Sequence, residues 1–349
     1  MPGEDELMRA DGRRRAASGP AAPGHASSGR VSMAQVATRA GVSGQTVSRV
    51  VNSSPRVDPA TRVRVEQAMA ELGYRPHRAA RALRTGRTQT IGLVVTTLAT
   101  VGNSRMLQAT AEAAEQRGYA LLVVTAEGSV ATAFARLHEQ GVDGAIVLNE
   151  ASALLQADDL PAGVRLVVVD APTAAGRRTV RSDHAGGAAA ATRRLLELGH
   201  ATVRHLAGPA GSFAADERER GWRETLQAMS IQPDELVRGD WSAESGHAAG
   251  AELQGATAVF CANDQMALGL IRALTDQGRR VPEDVSVIGF DDVPDAANYR
   301  PPLTTIRQDF TELATAAVSA LIAEIEGGAV EAPSVIPAQL IERVSTKSP

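Results

Sequence analysis

From residue 90 onward the chain repeats one pattern. Short runs of apolar, largely β-branched residues are separated by stretches long enough for a helix. The runs are Ile91–Val95, Ala120–Val124, Gly144–Leu148, Leu166–Val169, Thr202–Leu206, Ala258–Cys261 and Val285–Gly289. A run that is apolar at every position, not every second one, has both of its faces buried. Repeated between helices, such runs predict a parallel sheet covered on both sides. A helix is expected through residues 104–117, stopped by Gly118. Aromatic residues make up only 3% of the chain while hydrophobic residues make up 44%. The core must therefore come from Ala, Val, Leu and Ile, which suits α/β layers. The pattern runs to the end of a 349-residue chain. That is more than one ordinary core fills, so two lobes with a cleft between them are expected over one open sheet.

The start of the chain is built differently. Residues 1–30 are rich in Gly, Ala, Pro and Ser; they offer no apolar face, and a disordered extension is expected. Residues 31–76 read as three short helices. Ser32 caps the first, which carries Met33, Val36, Ala37 and Ala40 and ends at Gly41. Ser43 caps the second, with Val47, Val50 and Val51 as its apolar stripe. Asp58-Pro59 starts the third as N-cap and first helical residue, with Val63, Met69 and Ala70 among its inward candidates and Leu72-Gly73 at its end. Residues 77–86 are an Arg/Ala stretch ending in Thr-Gly. It is either a plain linker or a helix too short to hold itself.

Charge separates the two parts. Residues 31–87 hold ten arginines against Asp58, Glu66 and Glu71, a balance of +7 that leaves −11 on the rest of a chain whose net charge is −4. A small basic module on an acidic body is the footprint of a polyanion-binding domain joined to something else. Helix, Gly-containing turn and helix is the geometry that presents a second helix to the DNA major groove. The exposed face of that second helix carries Gln45, Thr46, Ser48, Arg49 and Asn52. Gln can pair bidentately with adenine and Arg with guanine, and Ser or Thr near the helix start can take a phosphate. A polar helix face alone reads as a solvated surface; the charge, the caps and the short turn together point to DNA.

Other classes find little support. Cys261 is the single cysteine, so no intrachain disulfide forms and a reducing cytoplasm fits. No apolar run approaches membrane-spanning length, so no membrane is expected as a partner. Arg13, Arg14 and Arg15 are followed by no apolar stretch, which argues against an exported sugar-binding transport protein. An enzyme using Asp170, Asp291 or His184 is the other rival. No Gly-rich phosphate loop, metal-ligand spacing or nucleophile elbow supports it, so neither a metal nor a cofactor is expected. His200 and His205 flank a strand start and read as structural.

The acidic body carries its own candidates. Asp170 follows the strand ending at Val169, Asn263 follows Ala258–Cys261, and Asp291 follows Val285–Gly289. Arg218 lies in Asp216-Glu-Arg-Glu-Arg-Gly-Trp222. Open α/β sheets bind ligands just past the carboxyl ends of their strands. Any one of these residues alone is a cap or turn residue; their shared topological place points to a cleft with convergent polar groups, as a sugar's hydroxyls require.

Val36-Ala-Thr-Arg-Ala-Gly-Val-Ser-Gly-Gln-Thr-Val-Ser-Arg-Val-Val-Asn52 closely resembles the headpiece of the LacI family of transcription regulators. The resemblance continues through Ala68-Met-Ala-Glu-Leu-Gly-Tyr-Arg-Pro76 and over nearly the whole chain. It is strongest at Gly239-Asp-Trp-Ser-Ala243, Ala262-Asn-Asp-Gln-Met-Ala-Leu-Gly269 and Pro301-Pro-Leu-Thr-Thr-Ile-Arg-Gln-Asp-Phe310. It implies a helix-turn-helix headpiece (31–76), a hinge helix and linker (77–87), and a two-lobed domain (88–349) of the periplasmic-binding-protein type. In that domain one lobe would span about 88–182 and 310–338, the other about 183–308 and 339–349. Gln45 and Arg49 would read bases, while Ser43, Thr46, Ser48, Asn52, Thr61 and Tyr74 would mainly position the DNA backbone. Leu83 would wedge into the minor groove with the small Ala80 beside it.

In the cleft the same resemblance implies that Asp170, Arg218, Asn263, Asp291 and Gln308 bind a sugar effector between Trp241 and Phe310, with a galactoside as the leading expectation. Trp222 would be core. Two places depart from the pattern. Gly44 stands where a base-contacting tyrosine is found in the family, which implies a different operator half-site. Thr100, Gly102, Asn103 and Met106 make the near end of the pocket more polar, which implies a different group attached to the sugar. The implied action is that of a homodimer on a pseudo-palindromic operator, released by its ligand. The last residues, Ser345-Thr-Lys-Ser-Pro349, carry no heptads, so two chains per particle are expected and not four.

Overall fold

The computed structural model describes residues 31–52, 54–74, 86–126, 129–155, 164–173, 177–328 and 334–349. The expected extension (1–30) and the hinge positions Ala80 and Leu83 lie outside the described residues. The chain divides into two compact units, residues 1–80 and 81–349.

In the first unit the caps set the helices. α1 (Met33–Ala40) opens on a capping box in which the Ser32 and Gln35 side chains each bond the other's backbone N–H, and it closes at Gly41, whose φ of +64° suits glycine. α2 (Gly44–Val51) starts where the Ser43 hydroxyl accepts from the Thr46 N–H at 3.2 Å. α3 (Pro59–Leu72) is capped by the Asp58 carboxylate on the Thr61 N–H at 3.0 Å. Val36, Val47, Val50, Val57, Val65 and Ala68 form the buried centre, with Met69, Leu72 and Tyr74 packed against it. One face was expected elsewhere. Val63 is 59% exposed and Ala70 is exposed too. They lie two helical turns apart on the outer side of α3, whereas Val65, Ala68, Met69 and Leu72 follow the i, i+3, i+4, i+7 spacing of the inner one.

The second unit contains two six-stranded sheets. The first has the order β2 (Ala120–Thr125), β1 (Thr90–Val95), β3 (Gly144–Leu148), β4 (Arg165–Val169), β5 (Arg178–Ser182), β11 (Val335–Ile336), all parallel. The second has the order β7 (Val237–Arg238), β6 (Arg204–Ala207), β8 (Ala258–Cys261), β9 (Ser286–Asp291), β10 (Thr304–Arg307), β12 (Gln339–Ile341). Only its β10–β12 pair is antiparallel. The chain passes between the sheets at Asp183, at Gln308–Asp309 and at Pro337–Ala338.

Each sheet has helices on both faces. Leu93 and Val95 of β1 face the core under α4 (Val101–Gln116) and α11 (Phe310–Glu326), while Val94 faces the core under α5 (Val130–Glu139) and the short α6 (Glu150–Ala153). The strands therefore read as unbroken apolar runs. In the second lobe α7 (His184–Glu197) and α8 (Phe213–Ala228) cover one face, α9 (Ala243–Ala248) and α10 (Asp264–Asp276) the other. These two helix pairs approach closely through glycine. A Cβ on Gly221 would lie 2.2 Å from the Ala185 carbonyl oxygen, and one on Gly269 would lie 1.8 Å from that of Ala243. Trp222 is fully buried, its indole N–H donating to the Val203 carbonyl at 2.8 Å. α4 begins three residues before its expected start because Thr100 caps it through the Asn103 N–H. That earlier start brings Gly102 and Asn103 into the first turn, at the cleft. Among the described residues no helix is long and apolar enough to cross a membrane.

Candidate functional site

The two sheets aim their strand ends at a common pocket. It is lined by Asp170, Arg218, Trp241, Asn263, Asp291, Gln308 and Phe310, together with Asn149, Glu150, His184 and Ala214. Thr100, Gly102, Asn103 and Met106 close its near end. Asn149 follows β3, Asp170 follows β4 and Asp291 ends β9. The backbone turns sharply at these points: φ is +44° at Asn149, +51° at Asp170, +76° at Trp241 and +109° at Asp291. Left-handed conformations cost roughly 1–3 kcal/mol each in non-glycine residues and persist where the surroundings impose them. Here the Asn149 N–H donates to the Val169 carbonyl at 2.9 Å and the Asp170 N–H to that of Val180 at 3.0 Å, so each side chain is swung off its strand into the cleft.

Arg218 lies at the centre and is 4% exposed. Its guanidinium carbon sits 3.9 Å over the Phe290 ring and 5.4 Å from the Trp241 ring. One terminal nitrogen donates to the Ala262 carbonyl; the other is 3.3 Å from His184 Nδ1 and 3.5 Å from Asp291 Oδ1. A guanidinium only donates, so His184 Nδ1 is the acceptor in that contact and Nε2 faces Asp170. That nitrogen is 3.0 Å from Asp170 Oδ1, in contact but too poorly aligned to form a hydrogen bond. Asp170 Oδ1 in turn accepts from the Ser182 N–H at 2.8 Å.

Burial works against the charges of Arg218 and Asp291. It lowers the Arg218 pKa, opposed by Asp291 and Asp170, and it raises the Asp291 carboxyl, opposed by Arg218 and by Gln308 Nε2, which donates at 2.6 Å. Asp264 is also pushed well up by burial. It accepts from Thr305 Oγ1 at 2.5 Å and from the Val293 N–H at 2.8 Å, which fixes the loop after β9. Asn263 caps α10 through the Met266 N–H at 2.9 Å and donates to the Trp241 carbonyl at 2.9 Å.

Several polar atoms in the pocket are buried with no partner: Arg218 Nε, Gln308 Oε1 and Asn149 Oδ1. Buried polar groups are normally bonded, so these are open positions for a hydroxylated ligand. The pocket is narrow, about 50 Å3 in volume. Contacts across the lobes hold it shut. Arg105 of α4 lies 4.8 Å over the Phe310 ring and donates to the Asp291 and Asp292 carbonyls at 3.4 and 3.2 Å. Ser212 donates to Glu150 at 3.2 Å.

The structure brings all seven sequence-derived cleft residues together. Sequence reasoning missed Asn149, Glu150, Ala214 and Arg105, and took His184 only as a residue of a rival enzyme. Asn149 follows a strand as Asp170 does, and the same rule of place finds it. Nothing in the spacing singles out Arg105. Among the described residues no cluster of His, Cys, Asp and Glu is arranged to hold a metal.

In the first unit, Gln45 and Arg49 are exposed one helical turn apart on α2, with Ser43 and Gly44 exposed at its start. Thr46, Ser48 and Thr61 are half-buried at its rim. Asn52 and Tyr74 are tied down: Asn52 donates to the Ser48 carbonyl at 2.5 Å, and Tyr74 packs on the core. Gln45 and Arg49 are thus the long polar side chains exposed on α2.

Comparison with known proteins accords with both halves. Residues 32–77 match the family described as bacterial regulatory proteins, lacI family, and residues 192–346 match the periplasmic binding protein-like domain. The lactose operon repressor of Escherichia coli (strain K12) is 37% identical over 330 residues, covering 91% of each chain. A crystal structure of the lac repressor dimer bound to operator and the anti-inducer ONPF superposes with a TM-score of 0.80 at 36% identity, covering 91% of this chain and all of that one. A transcriptional regulator CelR–cellobiose complex superposes with a TM-score of 0.66 at 35% identity, covering 90% of this chain and all of that one. A basic helix-turn-helix unit, a two-lobed body and relatives of this identity over nearly the full length lead to one conclusion: the chain belongs to the lacI family of bacterial regulatory proteins and is a DNA-binding transcription repressor.

Proposed function

We propose that the protein represses a sugar-utilisation operon and leaves its operator when a sugar inducer, with a galactoside as the first choice, enters the cleft. The observation that carries this reading is the convergence of Asp170, Arg218, Asn263, Asp291 and Gln308 between the Trp241 and Phe310 rings. Carboxylates, amides and a guanidinium match hydroxyls in several directions, and aromatic faces match the apolar face of a pyranose. One relative has been solved with the anti-inducer ONPF and another with cellobiose, which supports a small ligand in this cleft and, for the second, a sugar.

The narrow pocket and the contacts that cross it suggest the mechanism: entry of a sugar ring parts the lobes and breaks the Arg105 and Ser212 contacts that join them. Two chains act together on a two-fold operator, as in the lac repressor dimer. Coupling between the sites of about 1–3 kcal/mol, the usual allosteric range, weakens operator binding roughly 5- to 150-fold. No cofactor takes part in this scheme. The test is a thermal-shift screen of sugars followed by a gel shift at fixed salt. A stabilising sugar that releases the DNA supports the reading; one that tightens the complex makes the protein a co-repressed regulator instead.

A further inference from the structure

Among the described helices of eight residues or more, all but one start alike. In α1, α2, α3, α4, α5, α7, α10 and α11 the side chain of the N-cap residue accepts from a backbone N–H of the first turn. The exception is α8. Its N-cap is Ser212, a residue type that caps helices well. The backbone there is set for capping, with φ −85° and ψ 121°, and the Ser212 carbonyl accepts the first helical bond from the Asp216 N–H at 2.9 Å. The hydroxyl makes no cap bond and donates instead to Glu150 at 3.2 Å. Glu150 follows β3 in the first lobe and Ser212 follows β6 in the second. A cap has been given up for a bond between the lobes.

We propose that Ser212 is a two-position residue of the effector response: turned to Glu150 it joins the lobes, and turned inward it caps α8. The proposal rests on the reading given above, in which ligand entry parts the lobes and releases DNA. As the lobes part, Glu150 withdraws, and a rotation about the Cα–Cβ bond brings the Ser212 hydroxyl onto the N–H of Ala214 or Ala215. Ser212 is 2% exposed, and a buried hydroxyl left without a partner is costly. Recapping exchanges one hydrogen bond for another, so that parting the lobes does not strand the group. The same helix carries Ala214 and Arg218, both lining the pocket, so the exchange takes place where the ligand acts. A contact that only tied the lobes together would need no capping residue at this position.

The test is operator affinity of the full chain without sugar, by fluorescence anisotropy at fixed salt, for the native protein and for Ser212→Asp, Ser212→Ala and Glu150→Ala. Aspartate caps a helix but cannot donate, and its carboxylate repels that of Glu150. Ser212→Asp is therefore expected to weaken operator binding about fivefold or more. Glu150→Ala removes the acceptor, leaves the cap and acts in the same direction. Ser212→Ala loses both positions, so the balance between them moves little. Its operator affinity is expected to stay within about threefold of native while its melting temperature falls. Binding of galactose, lactose or cellobiose, followed by calorimetry, is expected to tighten in Ser212→Asp, because whatever disfavours the DNA-bound arrangement favours the ligand-bound one. Equal weakening by Ser212→Asp and Ser212→Ala makes Ser212 a plain tether and overturns the switch. An unchanged or tighter operator complex in Ser212→Asp and Glu150→Ala overturns it as well. Should the melting temperature show that Ser212→Asp does not fold, Glu150→Ala against Ser212→Ala carries the same contrast. If none of these sugars binds the native protein, the sugar reading falls, and the contrast between the variants still decides the switch.

Discussion

His184 Nε2 lies 3.0 Å from Asp170 Oδ1, and the two residues belong to different lobes. The imidazole stands at the start of α7, in contact with both Asp170 and Arg218. A ligand hydroxyl that takes over Asp170 therefore competes with a contact between the lobes, which links occupancy of the cleft to its opening. Asp170→Ala should weaken binding of the effector sugar by roughly 30-fold or more, because truncating one partner of a buried charged contact costs about 2–5 kcal/mol. Operator binding without sugar should stay within a few-fold. Calorimetry with sugar and fluorescence anisotropy with operator DNA check the two halves.

Arg49 and Gln45 are exposed one helical turn apart on α2. Arg49→Ala should weaken specific operator binding by about 1–3 kcal/mol and relax preference at one base pair, the worth of a bidentate contact. Binding to random DNA should fall much less. Affinity measured on both DNAs at one salt concentration separates base reading from a general loss of charge.

Gly44 is exposed, and a Cβ built on it has nothing within 4 Å. Its backbone is that of an ordinary first helical residue. Gly44→Ala should thus raise stability by about 0.4–1 kcal/mol through the unfolded chain, read by denaturant unfolding. Gly44→Tyr should fold equally well and select a different half-site from random DNA. An unchanged selected site would show that this position does not contact a base.

Much of this was legible because the relevant forces are local or repeat. Seven strands declared themselves since both faces of each sheet are covered, and the caps at Ser32, Ser43 and Asp58 marked the headpiece helices. β7, β11 and β12 did not, being only two or three residues long. β5 and β10 did not either, since Arg178-Thr-Val-Arg-Ser182 and Thr304-Thr-Ile-Arg307 are mostly polar. In the cleft, Asp170, Asn263 and Asp291 were readable from their place after strands. Arg105 was not, because its partners are the Asp291 and Asp292 carbonyls of the other lobe, and such a contact leaves no trace in spacing. The shape of the pocket likewise depends on how the two lobes meet, which no local pattern encodes.

His205 supplies a pH dependence of folding. It is stacked on Phe260, ring centroids 4.7 Å apart, and its Nδ1–H donates to the Phe260 carbonyl at 2.9 Å. Burial pushes its pKa down from 6.5 to about 4. The unfolded chain therefore takes up a proton near pH 6.5 that the folded protein refuses until about pH 4. Stability from this group is complete above about pH 6.5 and is lost as pH falls, by about 2 kcal/mol between pH 7 and 5. In His205→Phe that part of the slope should vanish. Chemical denaturation of both proteins at pH 7 and pH 5 measures it, and equal slopes would mean His205 is not the group that titrates.

One coupling is central to the proposed regulation, between sugar in the cleft and DNA on α2. Its most direct measure is operator affinity of the full chain by fluorescence anisotropy at fixed salt, with and without a saturating sugar found by thermal shift. The sugar is expected to weaken operator binding roughly 5- to 150-fold. An operator affinity that stays the same or rises in the presence of every stabilising sugar rules out induction by sugar.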